Sequence, residues 1–320
     1  MVLTWKIPLL LLVTLAFSST AQQKFSSNVA NHRNLKLLPT TKTCGFSGSS
    51  DNKWRVTGGT TAGQGTFPWM VSLTLQGSAE GEASGCGGSL INARYVLTAA
   101  HCFDGIQGDY SHCELGVGAY NERTDEVSEN GDTAGVQKMT IERVIRHPNY
   151  NSAGHDDNDI ALIRLSKEVN LESPSVRPIC LPYDDTAGKH QIEGRRGVVA
   201  GWGLTKGGNK HSGSAVLKQL SIPILTQKKC NEAFTFFNYD KPHVDYKSQV
   251  CTGGERGRNF CDGDSGGPLM DTLLDRKTGS SRTYQFGVVS YGTQNCEGEM
   301  PGVFTRVSYF LPWILDNIKP

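Results

Sequence analysis

Short apolar stretches recur along the chain, separated by loops rich in polar residues and glycine. Residues 67–75 read Phe-Pro-Trp-Met-Val-Ser-Leu-Thr-Leu and alternate apolar with polar positions over their second half, the period of a half-buried β-strand. Residues 86–91 and 95–100 predict two paired strands around Asn92-Ala93-Arg94. Further strands are expected over 139–146, 160–163, 197–203, 217–224, 284–290 and 302–307. Residues 309–318 differ: Phe310, Trp313, Ile314 and Ile318 fall at helical spacing, which predicts a terminal amphipathic helix. Phe234, Phe236, Phe237 and Tyr239, between Cys230 and Cys251, are read as a helix and loop packed on the strands. Loops are expected at 76–85, 103–138 and 204–215, with an exposed insertion at 271–283. A hydrophobic content of 37% with 37 glycines agrees with a loop-rich, all-β chain.

The first 21 residues break the pattern. Lys6, an apolar run over 7–17 and the small residues Ser19-Thr20-Ala21 describe a secretory signal peptide. The run is shorter than a membrane span needs, and no later stretch is longer, so no membrane association is expected. Secretion puts the nine cysteines in an oxidising compartment, where disulfides are expected. No Cys/His cluster has zinc-ligand spacing. A net charge of +1 offers nothing to nucleic acid or an anionic surface. Residues 22–43 are polar, have little apolar periodicity and are read as a flexible pro-segment.

The chemistry concentrates at Gly263-Asp264-Ser265-Gly266-Gly267-Pro268. Glycines let the backbone turn sharply around the serine. The N–H groups of Gly263 and Ser265 are candidates to meet at a developing oxyanion. A nucleophilic serine needs a base, and the base needs an orienting carboxylate. His101 ends the apolar run 97–100, and Asp159 directly precedes Ile160-Ala161-Leu162-Ile163. Asp156 and Asp157 are read as solvated loop charges.

With these three motifs in the order His, Asp, Ser, the chain resembles the chymotrypsin-like serine endopeptidases from about residue 56 to its end, and within them the arthropod clip-type proteases. A clip domain is not expected, because only Cys44 precedes the protease region. A lipase has the local Gly-x-Ser-x-Gly spacing but the order Ser, Asp, His. The resemblance implies two antiparallel six-stranded β-barrels with a C-terminal helix, the boundary near 170–182, and the site between the barrels. It divides the chain into signal peptide 1–21, pro-segment or light chain 22–55 and protease domain 56–320. Cleavage after Arg55 in Trp54-Arg55-Val56-Thr57-Gly58-Gly59 would make Val56 a new N-terminus, whose ammonium pairs with Asp264.

The same resemblance implies the disulfides Cys44–Cys180, Cys86–Cys102, Cys230–Cys251 and Cys261–Cys296, and leaves Cys113 over as a buried free thiol. No cofactor or metal is implied. Some relatives bind Ca²⁺ in a loop where this chain has Val117 in place of glutamate, so the acidic loop is read as solvated. Substrate would pair as an extra strand with Ser290, Tyr291 and Gly292. Asn259 stands at the base of the specificity pocket beside Phe260, with Gly292 and Gly302 as walls. Lacking a carboxylate at 259, the pocket is expected to prefer apolar or aromatic side chains over basic ones. Protein or peptide substrates, an activating protease and protein inhibitors are the expected partners of a secreted, extracellular enzyme. The competing reading is a non-catalytic homologue that binds partners.

Overall fold

In the computed structural model, residues 29–48, 59–76, 84–106, 108–122, 135–151, 156–184, 186–237, 244–275, 279–292, 296 and 298–320 are described. They carry fourteen strands in two sheets. After β1 (Thr60–Thr61), the first sheet is built from β2 (Met70–Leu75), β3 (Ser84–Asn92), β4 (Tyr95–Thr98), β5 (Glu114–Val117), β6 (Gln137–Met139), β7 (Ile141–Arg146) and β8 (Ala161–Leu165). Its spatial order is β6-β5-β2-β3-β4-β8-β7. Strands β6 and β7 are one run of chain interrupted at Thr140. One half pairs with β5 and the other with β8, at opposite edges. That run therefore closes the sheet on itself and leaves no open edge to mispair.

The second sheet uses β9 (Arg196–Gly201), β10 (Lys218–Pro223), β11 (Gln249–Thr252), β12 (Pro268–Asp275), β13 (Ser280–Tyr291) and β14 (Gly302–Arg306), with β1 added outside β10. An antiparallel bridge between Ile224 and Thr252 joins the β10 and β11 ends. Each sheet thus counts seven strands where six are expected. The extra one is a bent strand counted twice in the first sheet and the two-residue β1 in the second.

Two helices complete the fold. Helix α1 (Gln227–Phe236) is capped by Thr226, whose side chain accepts from the Lys229 N–H at 3.4 Å. It buries Cys230 and Phe234. Helix α2 (Val307–Asn317) buries Val307, Phe310, Leu311, Ile314 and Leu315 in the same core as the first barrel's strands. The His147 ring packs on Phe310 and Trp313 of α2. Burial lowers its pKa, which suits a packing histidine. Among the described residues no helix is long and apolar enough to cross a membrane.

Two expectations are corrected. The stretch 22–43 is read as a flexible pro-segment, and its described part, from residue 29, is a strap laid along the two sheets. Val29 and Leu38 are buried in the core. Asn34 Nδ2 donates to the carbonyls of Leu315 at 2.8 Å and Ile318 at 3.2 Å, at the end of α2. Asn92 Nδ2 donates to Leu37 O at 3.1 Å, and Tyr183 donates through its hydroxyl to Pro39 O at 2.8 Å. The strap's backbone N–H groups bond mostly within the strap, as Leu35 does to His32 O and Leu38 to Leu35 O, while several of its carbonyls accept from side chains of other elements. The insertion 271–283, read as an exposed loop, is strand over its described residues 271–275 and 280–283. It extends the β12–β13 hairpin, with Asp271 opposite Tyr284 and Asp275 opposite Ser280. Thr272 and Thr283 hydroxyls meet at 3.0 Å, a cross-strand pair on the ladder.

The four disulfides Cys44–Cys180, Cys86–Cys102, Cys230–Cys251 and Cys261–Cys296 are formed. Cys113 is buried with a free thiol.

Candidate active site

Asp159 is fully buried just before β8. The loop leading to it is held in an uncommon backbone shape: Asp156 and Asn158 have φ of 51° and 53°. Asn158 Nδ2 ties that loop to Asn149 O at 3.0 Å. The Asp159 carboxylate then accepts from three sides. His101 N–H donates to Oδ1 at 2.9 Å. His101 Nδ1 lies 2.7 Å from Oδ2, and the Ser290 hydroxyl donates to the same oxygen at 2.6 Å. The Asp159 main-chain carbonyl accepts from the Thr305 hydroxyl at 2.6 Å. His101 and Asp159 come from the first barrel, and Ser290 and Thr305 from the second. With Nδ1–H given to the carboxylate, Nε2 is left as the imidazole's basic nitrogen.

His101 stands in a one-turn 3₁₀ segment (His101–Phe103) directly after β4, and Cys102 is bonded to Cys86 on β3. Cys86, His101 and Cys102 present ligand atoms close together. The disulfide removes both sulfurs as metal ligands. An acidic group flanks the ring. Asp104 is ion-paired with Arg146, and the Tyr150 hydroxyl reaches Asp104 at 3.0 Å and Asp156 at 3.3 Å. Asp156, expected as a solvated charge, is half-buried in this group, and burial raises its pKa. For His101 burial acts to lower the pKa. The hydrogen bond and charge of Asp159, followed by the charges of Asp156 and Asp104, outweigh it and raise the value.

Ser265 lies in the turn that precedes β12, and the turn docks on the first barrel. Gly87 N–H donates to Ser265 O at 2.7 Å. Gly266 has φ +78°, and a Cβ there would collide with the Thr98 hydroxyl, three residues before His101. Gly263 has φ +94°, and a Cβ there would lie 3.0 Å from Gly203 Cα. Only glycine meets both demands. This close approach brings Ser265 to the same junction as His101. Among the described residues the N–H groups of Gly263 and Ser265 have no protein acceptor.

Behind the turn, the Asp264 carboxylate accepts from Gly203 N–H and Cys261 N–H, each at 2.9 Å. Burial raises its pKa to about 6 against the pull of those two bonds, and the nearby Asp262 charge adds to the rise. A Cβ on Gly201 or Gly203 would strike this carboxylate. No cation among the described residues pairs with Asp264. Beside it opens a cavity of about 380 Å³ lined by Gly59, Gly203, Asn259, Phe260 and Asp264, among others. Arg55 and Val56 lie outside the described residues.

At the pocket, Asn259 Nδ2 donates to Met300 O at 3.1 Å and its Oδ1 accepts from Phe260 N–H at 3.1 Å. Gly292 follows β13 and Gly302 opens β14, and the Phe260 ring lies against both. Ser290 and Thr305 as partners of Asp159 escaped the sequence reading. Their only trace in the chain is a hydroxyl residue beside apolar neighbours, Val289 before Ser290 and Phe304 before Thr305.

A family model described as Trypsin matches residues 56–314. The chain is 36% identical over 300 residues to a CLIP domain-containing serine protease, HP8, of Bombyx mori, covering 92% of this chain and 77% of that protein. It is 36% identical over 294 residues to melanization protease 1 of Drosophila melanogaster, covering 89% of this chain and 70% of the relative. The Spaetzle-processing enzyme of the same fly is 36% identical over 297 residues, again covering 89% and 70%.

Proposed function

Because the chain belongs to the trypsin family of serine proteases, we propose that it is a secreted endopeptidase, made as a zymogen and activated by cleavage after Arg55. The observation that carries this reading is the buried Asp159 carboxylate on His101 Nδ1, at the junction where the Ser265 turn docks. Ser265 Oγ attacks the scissile carbonyl while His101 Nε2 takes its proton. Asp159 keeps the imidazole in the tautomer that exposes this base and stabilises the imidazolium. The free N–H groups of Gly263 and Ser265 receive the negative oxygen. The imidazolium then protonates the leaving amine; water next attacks the acyl carbon as His101 takes its proton, and the imidazolium returns a proton to Ser265 Oγ as the acyl–oxygen bond breaks. Ser290, Tyr291 and Gly292 hold the substrate backbone as an added strand.

Activation follows from Asp264. A buried carboxylate lacking a counter-charge favours any cation that can reach it. Gly59 lines the cavity at Asp264 and stands three residues after Val56, a reach of about 10 Å for extended chain. The Val56 ammonium released by cleavage would fill this place. One relative is named for the protein it processes, Spaetzle, which supports limited cleavage of a protein substrate for this chain too.

The test is covalent labelling with a fluorophosphonate after cleavage at Arg55. Labelling that disappears in Ser265→Ala is expected. A cleaved, folded protein that stays unlabelled would overturn the enzyme reading in favour of a binding homologue.

A further inference from the structure

We propose that the Phe260 ring closes the specificity pocket from within, so that the enzyme cleaves after small residues such as alanine, glycine or serine. This deepens the protease reading and rests on it. Glycine walls ordinarily leave room for a substrate side chain between them. Here that room is taken. A Cβ on Gly302 would collide with Phe260 Cε1 and Cζ, and one on Gly292 would lie 3.2 Å and 3.3 Å from Cε2 and Cζ. One ring therefore lies beside both glycines, and its Cζ fills the space next to each where a side chain would stand. The walls do not part to admit anything more: Tyr291 and Val303, their neighbours, are partners in the β13–β14 ladder.

The ring is also held in place. It is 7% exposed and stacks edge-on against Phe304 with centroids 4.9 Å apart. Its backbone is tied to the Asn259 side chain, which is tied in turn to Met300. On one flank it lines the cavity beside Asp264. When the new N-terminus occupies that cavity, the ring can no longer withdraw on that side. Sequence reading led to a pocket open to aromatic and other apolar groups. The ring narrows this, because an incoming phenyl or branched aliphatic group needs the volume Phe260 fills, and close-packed interiors do not yield it.

The experiment has two arms on the full chain cut at Arg55. In the first, a mixed peptide library is digested by protein shown to label fully with fluorophosphonate. Cleavage after Ala, Gly and Ser is expected, with Phe260→Ala gaining cleavage after Phe and Leu by about a hundredfold in kcat/KM, the scale of added apolar contacts in a pocket. In the second, indole binding to Ser265→Ala protein is followed by calorimetry, which needs no turnover. No binding is expected unless Phe260→Ala is added. Fully labelled wild type that cleaves after Phe, Leu, Arg or Lys as well as after Ala would overturn the pocket proposal and leave the protease reading intact. Indole binding to the protein that retains Phe260 would overturn it even if no activity were found or the Phe260→Ala variant failed to fold. Loss of labelling would strike the protease reading alone.

Discussion

The Ser290 hydroxyl of the second barrel donates to Asp159 Oδ2 of the first at 2.6 Å, on the same oxygen that holds His101 Nδ1. The orientation of the base thus depends on how the barrels are joined. A hydrogen bond to a charged group is worth about 1.5–3 kcal/mol. Ser290→Ala removes it and leaves a buried carboxylate oxygen with one partner fewer. We expect kcat to fall about tenfold with KM little changed, since the hydroxyl acts on the base while the main chain at 290 that pairs with substrate is kept. Steady-state kinetics on one peptide substrate checks this, and an unchanged kcat would count against the bond.

The acidic group around His101 makes a second prediction. His101 acts as a base only when neutral, and its pKa is raised above the ordinary 6.5 by Asp159 with help from Asp156 and Asp104. Activity should therefore fall as pH drops through a midpoint above 6.5. Asp156→Asn removes one of the charges that favour the imidazolium, so its midpoint should move to lower pH. The sign for stability agrees: a raised folded pKa contributes stability that is full below the unfolded value and is lost as pH rises through the folded one. A pH–rate profile of kcat/KM for both proteins decides it.

Asp264 sets a different dependence before and after cleavage. In the uncleaved protein its pKa rises from 3.8 to about 6 through burial. The folded chain then binds more protons than the unfolded one in that interval, so this group makes stability fall as pH rises from about 4 to about 6. Pairing with the Val56 ammonium should abolish or reverse that trend. Thermal unfolding of Ser265→Ala protein, cut and uncut at Arg55, compared across this pH range, measures the difference.

The strap makes a prediction about stability alone. Asn34 Nδ2 is shared by two carbonyls at the end of α2. Asn34→Ala leaves both without this donor and should cost about 1–2 kcal/mol. Denaturant unfolding should show the loss with kinetic constants unchanged.

Much of the fold was legible because strand periodicity is local. The alternation in β2, the paired runs of β3 and β4, and the apolar stripe of α2 declare themselves within a few residues of chain. Two segments misled. Residues 29–48 bond through side-chain amides and backbone to α2, β3 and the second barrel, partners far away in sequence. Residues 271–283 look polar enough for a loop, yet Asp271 to Asp275 pair in register with Ser280 to Tyr284 across a hairpin. Polar side chains state their partners poorly, because the same serine or asparagine serves a turn, a cap or a ladder.

By itself the sequence determined the family, the two-barrel class, the order of His101, Asp159 and Ser265, and the glycines at 263 and 266 that their turn demands. Those features rest on residue type and on spacing along the chain, which folding does not alter. The tertiary structure alone decided that Ser290 and Thr305 clasp Asp159, that Asp156 belongs to the surroundings of His101, and that Phe260 lies beside both Gly292 and Gly302. Each of these joins residues brought close by the docking of strands, and a side chain's reach across that space is a property of the packed molecule.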